Sequence, residues 1–487
     1  MNKYKLTIKG FTLIELLGII VILAIIALIA VPVITNIINK TTDAAFANTV
    51  RLIAKNAEIK KFENYISNKN DVIECNDVVN INDADYETCN ISFEGEEIFV
   101  TLIGKGKFKD LAVIDGTVDD VKIISAEIAR FIPKNAVRVK TEEELVKAVE
   151  DATSENPNIL LKEPIALTNT ITISDKKISI YSVNHENKLS ISKNDLSIFE
   201  VNDKGTLEIY NVLIDQNYKS NFDEGGYLVI ADLNSRQTVP LIKVNEGSNL
   251  LLDKNTVISN VTSKTNIILV SGTSTNRATA TLNNTTITNC TMINVVNASG
   301  YADVYLNEGT KIINNIAYNN ENHGIIRIYT NSVVNINGAN IDYNYYNGNG
   351  MIGIYNATLI MNDGTINNNT AVAKSFASID NLNSNVNNVK YGLIYVHSGS
   401  SFTMNGGIIK NNKLLSHSAV DSMKINGKVI LNNGTITNNM VKINDEIFDY
   451  SLETYYYNSE RFEMSDSFNI TGRIYDCETK EYIYKSK

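Results

Sequence analysis

The 487-residue sequence has no tryptophan, four histidines, four cysteines and five prolines. His185, His323, His397 and His417 show no metal-ligand spacing, and no histidine or further cysteine stands near Cys75 and Cys89. A zinc site is therefore not expected, and the sequence points to no other metal or cofactor. Neither a glycine-rich phosphate loop nor a nucleophile elbow occurs. Positive charge is short as well. The net charge is −10, and over residues 205–440 the 14 Lys and Arg are matched by 14 Asp and Glu. A polyanion is gripped by a basic patch, so no nucleic-acid partner is expected. Beyond residue 34 no apolar run is long enough to span a bilayer, and the closing residues Glu481 to Lys487 carry no wall-sorting signal. The N-terminal segment is the expected anchor.

That segment is where the sequence speaks most clearly. Met1 to Lys9 holds Lys3, Lys5 and Lys9 and no acid, and the 24 residues from Phe11 to Ile34 carry one charge, Glu15. About 20 apolar residues in a helix span a bilayer core. The lysines keep the leader cytoplasmic, so the chain beyond the helix is extracytoplasmic. A lone carboxylate in lipid is costly and marks a function. Pro32 removes a backbone donor inside the run and should kink or loosen the helix. A secretory signal peptide fits poorly, because its apolar core is shorter and its cut follows the core. An ordinary signal anchor with an accidental glutamate is the other alternative.

The string KGFTLIELLGIIVILAIIALIAVPVI, residues 9–34, closely resembles the leader and first helix of type IV prepilins. The resemblance implies that a prepilin peptidase cuts between Gly10 and Phe11 and that the new N-terminal Phe11 is methylated. It also implies that Glu15 pairs with the Phe11 amine of a neighbouring pilin or pseudopilin subunit. A buried carboxylate needs such a partner, since alone it is too costly to bury. The subunit would be a single-pass membrane protein, N-terminus in, before assembly, and then be displayed on the cell surface, in a pilus or extracellularly.

Phe46, Val50, Ile53, Ala57, Ile59, Phe62 and Ile66 recur at steps of two to four, mostly three and four, which predicts that the helix runs on to about Ile66. Short strand-like runs follow at Asp71–Ile73, Ile91–Phe93, Ile98–Ile103 and Leu111–Ile114, separated by Gly95, Gly104, Gly106 and Gly116. This gives a leader over 1–10, a long helix over 11–66 and a small β head over 67–130. Such an α+β module, a long helix plus a small antiparallel sheet, resembles a pilin or pseudopilin head. Cys75 and Cys89 enclose 13 residues, and outside the cytosol a disulfide is permitted there. Two unpaired strand cysteines are the alternative.

From about residue 200 one phrase repeats. An apolar strand residue is followed five positions later by an aliphatic one and, three after that, usually by asparagine. The triples are Ile209-Ile214-Asn217, Leu252-Val257-Asn260, Leu282-Ile287-Cys290, Ile336-Ile341-Asn344, Met361-Ile366-Asn369, Met404-Ile409-Asn412 and Leu431-Ile436-Asn439. A further unit centres on Leu306, with Ile313 and Asn315. Long insertions fall around 218–240 and 371–392. The units are too short for propeller blades and leave no room for a helix each. The expectation is an all-β, right-handed parallel β-helix over 137–450, with a C-terminal cap over 451–487. Stacked units place equal positions about 4.8 Å apart, so Asn217, Asn260, Asn344, Asn369, Asn412 and Asn439 are expected to form a ladder of paired amides. Cys290 takes the asparagine place as a small buried filler and should not pair with Cys477. This part resembles the pectate-lyase-like β-helix superfamily. The resemblance extends to a short N-terminal capping helix over Val139–Val149, with Thr141 as N-cap and Glu144 three residues on.

The catalytic acids of that superfamily do not map onto this chain. The best carboxylate pair is Glu308 and Asp363, both two residues after a strand residue, and Asn322-His323-Gly324 with Arg327 only faintly matches a polygalacturonase phrase. No catalytic residue is assigned. The expected function is display of the β-helix as an adhesion module for a glycan or a surface partner. Tyr343, Tyr345, Tyr346 and Tyr455–Tyr457 are candidates to stack on sugars, or else to pack loops. The alternatives are a tethered polysaccharide-degrading lyase or glycosidase, and a pseudopilin of a secretion or uptake filament.

Overall fold

The computed structural model describes residues 13–68, 72–218, 220–222, 228–230, 237–317, 324–346, 350–372, 392–416, 423–443, 446–449, 462–470, 473–476 and 481–485. Gly10, Phe11, His323, His417, Tyr455–Tyr457, Cys477 and the side chain of Glu15 lie outside the described residues. The chain divides into two compact units, Met1–Phe131 and Ile132–Lys487.

In the first unit, helix α1 spans Leu13–Ile66 and contains Pro32. It changes character along its length. Leu13 to Ile38 present large apolar side chains that are exposed throughout. Among the described residues this is the one helix long and apolar enough to cross a membrane. Further along, Phe46, Val50, Ile53, Ala54 and Ala57 are buried on one face, as a 3.6-residue period requires. That face lies on an antiparallel sheet of β1 (Tyr86–Glu94), β2 (Glu97–Gly104), β3 (Leu111–Gly116) and β4 (Ile124–Ser125), in that order. Val100, Leu102, Phe108 and Val113 fill the interface. The rings of Phe46, Tyr86 and Phe108 meet with centroids 5.3 to 5.9 Å apart.

The strand expected at Asp71–Ile73 is not formed among the described residues of that run. Val72–Glu74 have no strand partner, because helix α2 (Cys75–Val78) begins there. The Glu74 amide donates to Asp77 Oδ2 at 2.8 Å, completing a capping box that turns the backbone away from a ladder. Cys75 and Cys89 form a disulfide that ties α2 to β1. A short helix α3 (Ala126–Phe131) ends the unit, with Arg130 bridging to Glu87 at 2.8 Å.

The second unit opens on helix α4 (Glu142–Asp151), whose N-cap Thr141 accepts the Glu144 amide. The Glu144 carboxylate in turn accepts the Lys140 amide at 2.6 Å, one residue before the N-cap. Leu145, Ala148 and Val149 of α4 are buried in the apolar core that the sheets share. Three large sheets follow, of 21, nine and seven strands, and nearly all their pairings are parallel. Each repeat adds a pair of strands to the first sheet, merged into one long strand at Val333–Asp342 and Thr358–Asn367. It adds one strand to the second and, from Thr291 on, one to the third, so residues of equal rank face one another from repeat to repeat. One apolar row runs Ile180, Ile209, Leu252, Leu282, Leu306, Ile336, Met361, Met404, Leu431 and Met464. A second runs Ile214, Ile258, Ile287, Ile312, Ile341, Ile366, Ile409, Ile436 and Ile470. The nine-stranded sheet supplies a third from Ile173 through Val201, Val244, Val270, Ala298, Ile328, Ile354 and Val396 to Ile425.

These rows form one continuous core. Each fully buried aliphatic side chain contributes about 1.5–3 kcal/mol relative to exposure. Strand alternation sends the intervening residues outward, where many are polar or aromatic and a few, such as Leu251, Leu269, Ile360 and Ile430, are aliphatic. The seven-stranded sheet ends in an antiparallel pair, Met440–Ile443 with Glu446–Asp449, which breaks the parallel pattern.

Ile366 is fully buried in the second row. Ile366→Asp should destabilise the fold by at least about 4 kcal/mol, read by chemical denaturation, since an unpaired charge enters a core without partners. For the first unit, reducing the Cys75–Cys89 bridge should lower stability by about 3 kcal/mol, the closure entropy of a loop of that length. Matching denaturation curves with and without reductant would rule that contribution out.

Candidate functional site

Two files of asparagines run along the second unit, and they are oriented in opposite directions. In the first, Asn315 Nδ2 donates to Asn344 Oδ1 at 3.1 Å, Asn344 to Asn369 at 3.0 Å, Asn369 to Asn412 at 2.9 Å, and Asn412 to Asn439 at 2.9 Å. Each receiving Oδ1 also accepts the backbone amide of the preceding member, as from Asn344 N to Asn369 Oδ1 at 2.9 Å. Each Nδ2 makes a second bond to a strand carbonyl, as from Asn369 to Ile341 O at 2.7 Å. All five side chains are buried, and all their polar atoms are engaged. Cys290 begins the file, its backbone amide donating to Asn315 Oδ1 at 3.1 Å with the thiol fully buried. Burial pushes that thiol up to about 12, so it stays protonated and inert.

Asn217 and Asn260, expected in this file, stand outside it. Between Leu252 and the inward residue of the next strand there are six steps and not five, so Ile258 and not Val257 faces the core. Asn260 consequently falls one place early. It takes a positive φ of 52° together with Asn289, Asn314, Asn368, Asn411 and Asn438, a conformation asparagine tolerates well. Its Nδ2 donates to Asp215 Oδ2 at 2.9 Å. Asn217 is exposed, also at positive φ, and its Oδ1 accepts from Lys188 Nζ at 2.8 Å.

The second file was not foreseen. Asn432 Nδ2 donates to Asn405 Oδ1, Asn405 to Asn362, Asn362 to Asn337 and Asn307 to Asn283, each at 2.8 Å, with Asn337 to Asn307 at 2.9 Å. It ends on the Asp253 carboxylate, which Asn283 approaches at 3.4 Å. An acceptor-only group suits the end toward which every donor points. The recurring asparagine immediately after the first-row residue was the available signal.

The face with the most binding chemistry is the outer side of the nine-stranded sheet. Ile326 and Ile328 point into the core, which sends Arg327 and Tyr329 outward. The next strands repeat the phrase, Ile352-Gly353-Ile354-Tyr355 and then Ile394-Tyr395-Val396-His397. Tyr329 and Tyr355 stack with centroids 5.0 Å apart and planes 18° from parallel. Tyr355 meets Tyr395 edge-on at 5.6 Å and His397 at 5.6 Å. Arg327 is fully buried and lies across Gly353, where a Cβ would collide with its guanidinium. The guanidinium carbon is 5.6 Å from the Tyr355 ring centroid, within cation–π range. Burial lowers the Arg327 pKa from its ordinary value, yet arginine starts so high that it remains charged. Burial also raises Tyr329, keeping its hydroxyl protonated. The Ile-x-Ile-Tyr phrase was the sequence signal for this face, at Ile326–Tyr329 and Ile352–Tyr355, although it also occurs at Ile178–Tyr181 in the 21-stranded sheet.

The other tyrosine candidates divide. Tyr346 is fully buried and donates to Gly392 O at 3.1 Å, which makes it part of the core, while Tyr343 and Tyr345 are exposed. The carboxylates are dispersed. Asp363 Oδ1 accepts the amide of Gly364 at 2.7 Å, and Asp342, raised by burial, accepts from Thr365. Among the described residues no three of His, Cys, Asp and Glu gather as a metal site would require. No protein-family model matches the sequence, and no curated protein is significantly similar to it.

The buried file makes a pH-dependent claim. In Asn369→Asp, the oxygen replacing Nδ2 would face two acceptors, Ile341 O and Asn412 Oδ1. The folded state would therefore hold the new carboxyl protonated, raising its pKa above the unfolded ~3.9. The variant should approach wild-type stability below about pH 4 and lose on the order of 3 kcal/mol as pH rises through the raised folded value. Denaturation midpoints across pH check it, and a pH-independent difference from wild type would contradict it.

Proposed function

We propose that this chain is a pilin-like surface protein that is anchored through α1 and displays its second unit as a binding module. The carrying observation is the division within α1. Its exposed apolar part, Leu13 to Ile38, continues without a break into a part whose other residues seat a small antiparallel head. A helix built this way serves membrane and head in succession. The prepilin-like string over residues 9–34 supports cleavage by a prepilin peptidase between Gly10 and Phe11, and a pairing role for Glu15 with a neighbouring subunit's amine.

The second unit, on this proposal, is a right-handed parallel β-helix. The repeat-by-repeat parallel register in three sheets, the shared core and the two asparagine files support that reading. Its ligand class is a glycan or a glycan-bearing surface. Tyr329, Tyr355 and His397 offer neighbouring, partly exposed aromatic rings on one side of the sheet, with the buried Tyr395 packed against Tyr355 and His397, and such rings pack against the apolar side of sugar rings.

Mass spectrometry of surface-exposed protein should find Phe11 as a methylated N-terminus; an intact Met1 would overturn the pilin-like processing. Glu15→Ala should still insert, since losing a charge eases membrane entry, but should be depleted from sheared filaments by about tenfold. On a glycan array Tyr355→Ala should lose about 1–3 kcal/mol of binding while retaining its fold. Unchanged binding would remove the aromatic face from the proposal.

A further inference from the structure

Four Asn-Gly steps have both residues described: Asn337-Gly338, Asn405-Gly406, Asn426-Gly427 and Asn433-Gly434. Such steps are chemically labile, because glycine leaves its amide nitrogen unshielded beside the asparagine side chain. The lability is realised when that nitrogen reaches the side-chain carbon, so the restraint on each amide decides the rate.

The four differ sharply in restraint. Asn337 donates to Asn307 and accepts from Asn362, and Asn405 donates to Asn362 and accepts from Asn432. Both amides are held at two ends, by the members of the file on either side. Asn426 is half-buried, with Nδ2 on the Tyr395 hydroxyl at 3.5 Å. Asn433 is exposed, and its side chain curls onto the next residue. The Gly434 amide donates to Asn433 Oδ1 at 2.9 Å, which places the nitrogen beside Cγ. Gly434 sits at φ +124°, a backbone that side chains rarely adopt.

We propose that Asn433 is a site of spontaneous covalent modification. The Gly434 nitrogen bonds to Asn433 Cγ, the Cγ–Nδ2 bond breaks, and the displaced nitrogen leaves as ammonia with the amide proton. Water then opens the five-membered imide at either carbonyl, giving aspartate or isoaspartate, with no change of oxidation state. The fold already carries the aspartate product at the same place two repeats earlier. Asp363-Gly364 occupies the equivalent place, with the Gly364 amide on Asp363 Oδ1 at 2.7 Å and Gly364 at φ +110°. Conversion adds one negative charge to a region whose charges otherwise balance, and it proceeds with the age of the protein.

The test is peptide mass mapping of the full-length protein in detergent after incubation in warm, mildly alkaline buffer. The amide-to-acid mass gain should appear at Asn433 about tenfold faster than at Asn337 or Asn405, as an aspartate and isoaspartate pair. In denaturant, where the files are dissolved, the three sites should convert at comparable rates. Equal rates in the folded protein, or conversion at Asn337 or Asn405 first, would overturn the proposal. Asn433→Asp should melt with the wild type; a lowered melting temperature would contradict the claim that this place accepts the product.

Discussion

The parallel sheets of the second unit depend on amides that are buried and fully paired. Stacking repeats in register stabilises by burying aliphatic rows, yet the chain must also turn a corner after each strand, and corners strand backbone donors in the interior. The buried asparagine file meets that demand. Asn344, Asn369 and Asn412 each accept a backbone amide and a side-chain amide from the repeat before and donate to a strand carbonyl and to the repeat after. A charged residue there would need a counter-charge, and an alanine would leave three or four groups unsatisfied. The file also fixes register. A slip of one residue would bring positive-φ asparagines such as Asn368 and Asn411 inward and carry the aliphatic rows out of the core.

The two files run with opposed polarity. In the buried file Nδ2 points toward later repeats, and in the outer file toward earlier ones. Aligned amides polarise one another along a chain of hydrogen bonds. Two such chains running opposite ways offset each other's dipole, and the outer one terminates on Asp253. Cys290, by contrast, starts the buried file with its backbone alone, a small apolar side chain standing where no earlier amide needs a partner.

Much of this was legible in the sequence, and the misses have definite causes. The extent of α1 to Ile66 followed from its apolar period, and α4 from its N-cap and buried triplet. The recurring aliphatic-to-asparagine spacing located Asn344, Asn369, Asn412 and Asn439. It failed at Asn260 because one added residue before Ile258 moved the inward position, and Val257 is apolar enough to mimic it. Near Leu306 the same extra step makes Ile312, not Ile313, the core residue. The Asp71–Ile73 run resembles a strand by its apolar pair alone, whereas the Glu74–Asp77 cap beside it starts a helix. Arg327 gave no warning, since its burial depends on Gly353 in the following repeat leaving space for it.

Amide hydrogen exchange over the repeats tests the stacked register most directly. The backbone amides of Asn315, Asn344, Asn369 and Asn412 each donate to the asparagine of the next repeat. If the buried file holds the unit together, these four amides exchange together and only through global unfolding, among the slowest in the protein. Fast or unequal exchange at these positions, comparable to the exposed Asn433, would contradict a continuous register maintained by the asparagine file.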